Sequence, residues 1–467
     1  MLEMMKTVLD KKIVIVGAGP TGLGAAHRLG ELGIRAFRLY ERNSYAGGLA
    51  ASFVDEHGFT WDVGGHVQFS HYTYFERLMD DLLGSEWLRH QREAWVWILN
   101  RFVPYPFQSN IHRLPRAEML ECLRGLISVS RKAGGSSPST LADWIRAGFG
   151  EGIARIFLLP YNFKVWAYPA SEIGCGWTGE RIGTVDLERI VRNILDDHDD
   201  VGWGPNSTFR FPLRGGTGEI WKRLAARLPD DTIHYNKRVV RVETARKLIH
   251  FADGVKDNYD ILISTMPVDA LIECSDLLEL KPAASRMRHS TTHVVGVGLK
   301  GQVPERLRTK CWMYFPEFDC PFYRATVFSN YSPQNVPDAA CYWSLILEVS
   351  ESPVKSVDQA SLIDSVVEGL LATGLIDSKD DIVSVWCHTA PHGYPTPFLG
   401  RDEVIGPLNA VLEQRQIYSR GRFGAWKYEV SNQDHSLMQG VELVNRLIFE
   451  VPEMTYWFPE IVNSRPR

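Results

Sequence analysis

The stretch that decides the fold reads IVIVGAGPTGLGAAHRL over residues 13–29 and continues as FRLYERNSYAGG over residues 37–48. Its first four residues, Ile13 to Val16, are β-branched and apolar, which is typical of a central parallel strand buried on both faces. The turn that follows has the G-x-G-x-x-G pattern, formed by Gly17, Gly19 and Gly22. These glycines permit a tight bend, the approach of a pyrophosphate and the close packing of a helix on the strand. The pattern predicts a βαβ unit that binds a dinucleotide.

The residues after the turn specify the cofactor further. Apolar residues at helical spacing up to Leu32, with Gly33 as a C-cap, predict the helix of the unit. A second strand over Ala36 to Tyr40 ends on Glu41, 19 residues after the third glycine (41 − 22 = 19), where an acid reaches a ribose hydroxyl. A second glycine pair comes directly after this acid and favours FAD over NAD. The backbone amides at the helix N-terminus are expected to hold the pyrophosphate.

The composition excludes several function classes. The chain has 467 residues, which is too long for one simple core and predicts two or three domains. Its formal net charge of −5 indicates no basic surface for nucleic acid or an anionic membrane. No run approaches the roughly 18 apolar residues of a membrane span, and residues 1–12 lack the apolar core of a signal peptide.

The cysteines point to a reducing compartment. There are seven, scattered along the chain and never in C-x-x-C spacing, so neither a disulfide framework nor a zinc site is predicted. Reduced thiols of a cytoplasmic protein are the interpretation that fits them. We therefore expect a cytoplasmic protein with no metal.

The distribution of helix and strand patterns predicts an α/β fold with a Rossmann-like FAD-binding domain, an inserted helical domain and an antiparallel β-sheet domain. Residues 116–197 have a helical pattern, residues 293–349 are rich in strands, and residues 259–265 form a buried strand that rejoins the nucleotide-binding sheet. The predicted division is the FAD-binding domain in three parts (1–108, 204–290 and 401–467), the helical domain (109–203) and the β-sheet domain (291–400).

Two segments leave alternatives open. His66 and His71 have the spacing of metal ligands on a helix, but the glycines at 64 and 65 favour a loop, with His66 against the flavin ring. Residues 95–103 form a strand-like aromatic run that ends in Pro-Tyr-Pro-Phe-Gln at 104–108. That segment is either a surface turn with core aromatics or a ring-stacking platform with Gln108 beside it.

Seven motifs together identify a resemblance that covers nearly the whole chain. They are GGHVxFSH (64–71), PYPFQ (104–108), YNFKVWA (161–167), GPNxTFRFP (204–212), CPFYRAT (320–326), HGYPTP (392–397) and NQDHS (432–436). The sequence resembles the UDP-galactopyranose mutases, in particular the longer eukaryotic-type branch. The resemblance implies the three-domain fold above, with the active site where the domains meet. It also implies interconversion of UDP-galactopyranose and UDP-galactofuranose by reduced FAD, whose N5 is the nucleophile at the anomeric carbon, without net redox change.

The resemblance also assigns the substrate residues. Arg181 and Arg324 flank the diphosphate, because the planar fork of arginine suits phosphate, although from the sequence each also fits a domain-interface salt bridge. His66 lies against the isoalloxazine near N5 and is the third catalytic residue. The remaining substrate residues border the sugar, donate hydroxyl hydrogen bonds to the diphosphate or form the uracil pocket: Phe69, Tyr105, Phe107, Gln108, Asn162, Trp166, Asn206, Tyr314, Tyr394, Tyr428 and Asn432.

For the cofactor, the fingerprint and the resemblance together predict contacts from Gly17, Gly19, Thr21, Gly22, Glu41, Gly48, Leu49, Gly65, Val67, Val239, Gln433 and Ser436. NADPH or NADH is the implied reductant. Arg92 stands where that branch keeps an arginine near the nicotinamide nucleotide, whereas Ala94 replaces an expected serine. The implied partner is a UDP-sugar, with neither nucleic acid nor membrane. A homo-oligomer stays open, because the segment near residues 337–342 is short where fungal members carry an insertion.

Other functions stay open beside this one. Gln68 and Ser431 depart from the family pattern beside the sugar, so another nucleotide sugar, such as UDP-N-acetylgalactosamine or a deoxy-sugar, is an alternative substrate. A flavin amine-oxidase-type oxidoreductase is the alternative from another class, because the same fold hosts that chemistry. It would need an aromatic cage and no arginines for a diphosphate. A FAD-stabilised binding protein is the third alternative.

Overall fold

The structure is a computed structural model that describes residues 11–131, 138–183, 185–201, 204 and 207–464. Its strands, in chain order, are β1 (Ile13–Val16), β2 (Phe37–Tyr40), β3 (Ser52–Val54), β4 (Thr60–Asp62), β5 (Trp87–Gln91), β6 (Ala94–Ile98), β7 (Arg101–Pro104), β8 (Thr208–Pro212), β9 (Ile233–His234), β10 (Val239–Glu243), β11 (Leu248–Phe251), β12 (Lys256–Asn258), β13 (Ile261–Ser264), β14 (His289–Lys300), β15 (Trp312–Tyr314), β16 (Arg324–Val327), β17 (Tyr342–Glu351), β18 (Ile382–Pro395) and β19 (Ile417–Ser419).

The α-helices, in chain order, are α1 (Pro20–Glu31), α2 (Thr73–Leu83), α3 (Arg116–Ser130), α4 (Leu141–Ile153), α5 (Leu159–Trp166), α6 (Leu187–Asp196), α7 (Gly218–Ala226), α8 (Val268–Glu273), α9 (Lys281–Ala284), α10 (Leu362–Ala372), α11 (Arg401–Gln414), α12 (Gln433–Phe449), α13 (Met454–Trp457) and α14 (Pro459–Asn463). Short 3-10 turns, such as Gly179–Arg181 and Tyr428–Val430, connect several of them. Among the described residues, no helix is both long and apolar enough to cross a membrane.

A five-stranded parallel sheet, in the order β19-β13-β1-β2-β9, forms the nucleotide-binding part. Strand β1 lies at its centre with all four side chains buried, as its apolar run predicts. The predicted βαβ unit is confirmed over β1, α1 and β2. Gly22 shows why the fingerprint needs glycine, since a Cβ there would lie 1.9 Å from the Gly17 carbonyl oxygen.

The first and last long helices of this part pack directly on each other through glycines. A Cβ at Gly24 of α1 would lie 2.5 Å from the Leu437 carbonyl oxygen of α12. In return, a Cβ at Gly440 of α12 would lie 2.1 Å from the Thr21 carbonyl oxygen. The backbones can therefore approach closely only because both residues lack side chains.

A seven-stranded sheet, in the order β18-β14-β17-β16-β15-β6-β7, forms the second large unit. Helix α10 covers one face with Leu362, Val366 and Leu370. The other face packs on the hairpin of β3 and β4, through Phe59 and Trp61. All strand pairs in this sheet are antiparallel except β6 with β15, which is parallel, so the predicted antiparallel sheet is mixed at one pairing.

The prediction that the aromatic run over residues 95–103 is a single strand is wrong. It is a hairpin of β6 and β7, with Leu99 and Asn100 at φ of 51° and 56° in the turn. Two consecutive positive φ values are typical of a tight hairpin turn, which usually carries glycine and carries none here. Because β6 pairs with β15, these strands join the seven-stranded sheet, although the predicted division placed residues 1–108 in the FAD-binding domain.

A helical unit lies between the two sheets in sequence and consists of α3 to α6, as its helical pattern predicts. Its core includes Ile145, Phe149 and Phe157. A π-helical segment, Ala154–Leu158, connects α4 to α5 without a break and carries Phe157 toward the cavity described next. The exact domain boundaries stay a prediction.

Candidate functional site

A cavity lies between the helical unit, the seven-stranded sheet and the start of α12. It is lined by Phe69, His71, Arg92, Tyr105, Gln108, Phe157, Leu158, Tyr161, Asn162, Val165, Trp166, Trp177, Arg181, Ile182, Tyr314, Tyr323, Arg324, Tyr394, Tyr428, Asn432, His435 and Asn463. Nearly all predicted substrate residues are brought together here from distant parts of the chain. We call the side formed by α5 and the turn at 179–181 the helix wall. The side formed by strands β15 to β18 is the sheet wall.

Arg181 is the cation of the helix wall, and polar oxygens hold it in place. Its guanidinium donates to the Asn432 side-chain oxygen at 2.9 Å and to the Glu429 carbonyl oxygen at 3.1 Å. It also lies over the Tyr428 ring, 5.0 Å from the ring centre. No carboxylate among the described residues forms an ion pair with it, so its positive charge faces the cavity without a counter-ion.

Arg324 is the cation of the sheet wall, and a buried carboxylate holds it. Its Nε and Nη2 donate to the two oxygens of Glu348 at 2.7 and 2.8 Å. Glu348 also accepts from the Tyr323 hydroxyl at 2.6 Å and from the Gly65 backbone amide at 3.0 Å. Burial alone would raise the pKa of Glu348, but the Arg324 guanidinium and these hydrogen bonds hold it below its ordinary value. The pair therefore stays ionised and fixes both the arginine and the glycine loop.

The tyrosines form a continuous aromatic lining. Tyr314 contacts Tyr105 and Tyr161 edge to face, with ring centres 5.3 and 5.1 Å apart. Tyr428 contacts Trp166 in the same manner at 4.8 Å. Burial raises the pKa values of Tyr105, Tyr314 and Tyr394, so their hydroxyls stay protonated at neutral pH and can donate hydrogen bonds to an anion.

Three predicted uracil-pocket residues differ in what they can offer. Phe107 is fully buried and its ring packs on Phe157 at 4.6 Å, so it lies in the core behind the cavity and not on its surface as the stacking prediction requires. Asn162 donates to the Leu158 carbonyl oxygen at 2.8 Å and accepts from the Trp166 indole at 3.2 Å, and it thereby orients that ring. Gln108 donates to the Gly183 carbonyl oxygen at 2.7 Å, which leaves its side-chain oxygen to accept.

The residues predicted to hold a dinucleotide lie where the parallel strands of the five-stranded sheet end. Glu41 accepts from the backbone amides of Ala18 and Asn43, each at 2.8 Å, and so braces the glycine turn. The N-termini of α1 and α12 carry no capping side-chain hydrogen bond, so their amides are available to a ligand. A Cβ at Gly19 would meet only Gly47 and Gly48, both at 4.0 Å, which leaves open backbone there.

The remaining cofactor residues surround the same region. Thr21 and Gly22 lie in the first turn of α1, and Gln433 and Ser436 in the first turn of α12. Leu49, Gly65 and Val67 are half-buried in the loops between β2 and α2, and Val239 begins β10. His66 has a buried Nδ1 atom with no partner among the described residues, and burial lowers its pKa to about 4. The unsatisfied imidazole nitrogen of His66 and the uncapped N-termini of α1 and α12 fit a flavin dinucleotide.

Two sequence departures do not reach the cavity lining. Gln68 is 3% exposed and donates to the Gln433 side chain at 2.9 Å. Ser431 is 4% exposed, and its hydroxyl accepts from Arg422 at 2.9 Å. The case for a nucleotide sugar other than UDP-galactose is therefore weaker in the structure than in the sequence. Asn206, another predicted substrate residue, lies outside the described residues.

Sequence reasoning missed three contributors to the site. Glu348 carries no motif, because only the pairing of β16 with β17 brings it to Arg324. Arg422 donates to the Gly393 carbonyl oxygen and lies 4.7 Å from the centre of the Tyr394 ring, with no carboxylate partner among the described residues. Asp434 belongs to the NQDHS motif, but the motif alone does not show that its carboxylate lies 3.0 Å from His71 Nδ1.

The comparisons with known proteins agree with this geometry. A family model described as flavin containing amine oxidoreductase matches residues 20–306. A crystal structure of reduced UDP-galactopyranose mutase is 49% identical, with 97% of each chain covered and a TM-score of 0.95. A putative protoporphyrinogen oxidase from Exiguobacterium sp. 255-15 is 16% identical, with 95% of this chain and 99% of that chain covered and a TM-score of 0.74, and shows the fold alone.

One curated relative is similar over a shorter stretch. The probable flavin-containing monoamine oxidase A of Dictyostelium discoideum is 30% identical over 124 residues, which are 27% of this chain and 26% of that protein. The match therefore spans about a quarter of the relative's length. The similarity to this oxidase covers about a quarter of the chain, whereas the similarity to the mutase structure covers 97% of it.

Proposed function

This chain belongs to the flavin-containing amine oxidoreductase family and, within it, to the UDP-galactopyranose mutases; on that premise we propose that it interconverts UDP-galactopyranose and UDP-galactofuranose. It is a flavin-dependent mutase, and its cofactor is FAD. One observation carries the proposed substrate: Arg181 and Arg324 lie on opposite walls of a single cavity lined by protonated tyrosines. This arrangement suits an anion with two phosphates.

The cofactor is held by the glycine turn after β1, by Glu41 and by the first turns of α1 and α12. When FAD is bound in its reduced form, its N5 supplies the nucleophile for the anomeric carbon, and no net redox change accompanies the isomerisation. His66 is neutral at physiological pH because its pKa is near 4. It therefore offers the flavin an imidazole that can donate or accept one hydrogen bond without adding charge.

The two arginines act on the leaving diphosphate in different ways. Arg181 contributes an uncompensated positive charge, which stabilises the negative charge that develops on the diphosphate as the anomeric bond breaks. Arg324 presents its remaining N–H donors in a direction fixed by Glu348. The hydroxyls of Tyr314, Tyr394 and Tyr428 donate further hydrogen bonds. These residues thus orient UDP and keep it near the sugar until its bond to the anomeric carbon forms again.

The uridine end is assigned to the part of the cavity near Tyr105 and Trp166. Gln108 has a free side-chain oxygen to accept from an N–H on the uracil edge. Asn162 lines the cavity and accepts a hydrogen bond from the Trp166 indole, which orients that ring. Phe107 packs beneath this region and fixes its shape.

The reductant in this proposal is NADPH or NADH. Arg92 is 7% exposed, lines the cavity and lies 5.6 Å from the centre of the Tyr105 ring, which suits a contact with the phosphates of a nicotinamide nucleotide. We place the reaction in the cytoplasm, because all seven cysteines are free thiols, as in a reducing compartment. Assembly with further copies of the chain stays a prediction.

The amine-oxidase alternative fits the cavity less well. Three arginines line it, namely Arg92, Arg181 and Arg324. Arg324 is paired with Glu348, whereas Arg181 forms no ion pair with a carboxylate among the described residues. The positive charge of Arg181 repels the ammonium group of an amine substrate.

The experiment incubates dithionite-reduced enzyme with UDP-galactofuranose and measures UDP-galactopyranose by chromatography. Turnover by the reduced enzyme and none by the oxidised enzyme is the expected result. A parallel assay measures hydrogen peroxide from primary amines and polyamines with the oxidised enzyme. Peroxide production without mutase turnover would replace the proposed function with the oxidase.

A further inference from the structure

A group of three side chains of the types that bind metal ions lies outside the cavity. It consists of Asp269 in α8, His289 at the start of β14 and His392 near the end of β18. One ligand atom from each lies within 4.8 Å of the other two. His392 Nε2 is 3.0 Å from Asp269 Oδ2, and His289 Nδ1 is 4.0 Å from the same oxygen. We call these three residues the interdomain cluster. Helix α8 directly follows β13 of the five-stranded sheet, whereas β14 and β18 belong to the seven-stranded sheet.

A bulge in the seven-stranded sheet creates the cluster. Ser290 pairs with Tyr394 and Thr292 with Ala390, so three residues of β18 stand opposite a single residue of β14. His392 is the middle one of the three, and a bulge of this kind re-aims a side chain. As a result, the two imidazoles stack face to face, with ring centres 4.0 Å apart and planes at 16°. Because an ion bound to an imidazole lies in the plane of the ring, one of the two rings must rotate before both can bind the same ion.

The cluster contains a buried nitrogen that the protein itself does not use. His289 Nδ1 is shielded from solvent and has no hydrogen-bond partner among the described residues. A hydrogen bond from His392 to Asp269 explains the position of two members of the cluster, but it leaves this nitrogen without a role.

We propose that Asp269, His289 and His392 bind one divalent transition-metal ion, with Zn²⁺ as the best-suited ion. Two imidazole nitrogens and one carboxylate are ligands that zinc accepts, and three protein ligands leave a fourth position for water. Ligand atoms around a tetrahedral zinc are separated by roughly 3.3 Å, given zinc–ligand bonds of about 2.0–2.1 Å. One of the three separations in the cluster is 3.0 Å, a second must close from 4.0 Å, and the third, between the two imidazoles, is within 4.8 Å. The side chains are 20 to 30% exposed, so the ion has access from solvent.

The ion would act as a structural link close to the active site. It joins α8 to β14 and β18, and it binds β18 two residues before Tyr394, which lines the cavity. Gly393, between these residues, accepts the hydrogen bond from Arg422. Binding of the ion therefore fixes the bulge that positions this part of the sheet wall, without taking part in the reaction.

The test titrates Zn²⁺ into FAD-loaded, metal-free holoenzyme in competition with a chromophoric chelator, and measures the stoichiometry and affinity. One ion per chain is expected, together with a rise in the melting temperature. The substitutions His289→Gln, His392→Gln and Asp269→Asn should each weaken binding at least tenfold, with the flavin absorbance retained as evidence of folding. His388→Gln, on the same strand but outside the cluster, is the matched control and should bind normally.

Two further variants distinguish the interdomain cluster from other zinc ligands. His71, Asp434 and His435 form another group of ligand atoms at the cavity, and Cys387 is an exposed thiol on β18. Binding that survives in His71→Gln and Cys387→Ser supports the proposal. Loss of binding in either of these, or unchanged binding in His392→Gln, overturns it. Zinc binding is measured without substrate, so the outcome is independent of the proposed mutase activity.

Discussion

The two walls of the cavity present the same side chain in opposite electrostatic states. On the sheet wall, Arg324 is paired with the buried carboxylate of Glu348 by two hydrogen bonds. On the helix wall, Arg181 is held by an amide oxygen, backbone carbonyls and an aromatic ring, with no ion pair among the described residues. The first arginine has its charge largely compensated, while the second keeps its charge available.

This difference separates positioning from charge stabilisation. A guanidinium fixed on a strand by a carboxylate is well oriented but contributes little net field. A guanidinium held by neutral groups contributes its full charge to an arriving phosphate. We therefore expect that disrupting the sheet wall mainly costs stability, whereas disrupting the helix wall mainly costs catalysis.

The largest expected effect comes from Glu348→Ala. It leaves the Arg324 guanidinium without its counter-ion, and breaking such a buried pair costs about 3–5 kcal/mol in the free energy of unfolding. Urea denaturation of the FAD-loaded enzyme measures this loss. The double variant Arg324→Met with Glu348→Leu is the control and should recover most of the stability but no activity. A stable Glu348→Ala variant would remove the distinction between the walls.

Arg181→Ala is expected to lower kcat/KM by about 10²- to 10³-fold, the loss typical when one donor to a developing anion is removed. FAD binding should persist, because none of the assigned cofactor contacts involves this residue. Steady-state kinetics with the reduced enzyme, together with the flavin absorbance, measures both. Arg192→Ala, on the exposed face of α6, is the matched control. Near-normal turnover in Arg181→Ala would show that the uncompensated charge is not used.

His435 tests how the helix wall depends on pH. It lies in the first turn of α12, three residues after Asn432, whose side chain accepts a hydrogen bond from Arg181. Burial chiefly lowers its pKa to about 4. A histidine with a lowered pKa binds fewer protons when folded, so the folded state loses stability as the pH falls from 6.5 toward 4. His435→Gln should remove roughly 2 kcal/mol of the loss between pH 7 and 5, at 1.36 kcal/mol per pKa unit.

Denaturation at the two pH values measures the difference, with the exposed His57→Gln as control. An identical pH dependence in the wild type and in His435→Gln would show that this imidazole titrates normally. The start of α12 would then be less shielded from water than its burial indicates.

The smallest effect is expected from Tyr428→Phe. The ring that lies 5.0 Å from the Arg181 guanidinium remains, and only the hydroxyl donor is lost. One hydrogen bond of this kind contributes about 1 kcal/mol, or a roughly fivefold change in kcat/KM. Tyr428→Ala should cost more, because it also removes the support of Arg181. Equal losses in both variants would mean that the ring does not position the arginine.

The sequence was most informative where structure depends on neighbouring residues. The βαβ unit was predictable because its strand, its glycine turn and Glu41 lie within 29 residues (41 − 13 + 1 = 29) and each has a local pattern. The hairpin at Leu99 and Asn100 was missed because its positive φ values fall on residues other than glycine.

Contacts between residues far apart in the chain were also beyond what the sequence could predict. Glu348 could not be assigned to Arg324 from spacing alone, since a strand register decides which side chains meet. Phe107 was placed in the uracil pocket by resemblance, but its packing on Phe157 is a property of the folded helical unit. The family motifs include most residues of the cavity, whereas the structure shows which of them line the cavity and which support a neighbour.

The glycine contact between α1 and α12 has a consequence for how the protein is made. The turn that opens the proposed FAD site follows Val16, but the helix that completes it spans Gln433–Phe449 and is synthesised much later. The seven-stranded sheet, with its last strand ending at Pro395, is synthesised in full before then. A nascent chain therefore contains all the strands of the seven-stranded sheet before the proposed cofactor site is complete. Complete binding of the flavin at the proposed site therefore requires that residues 433–449 have been synthesised, and termination before residue 433 yields a protein without them.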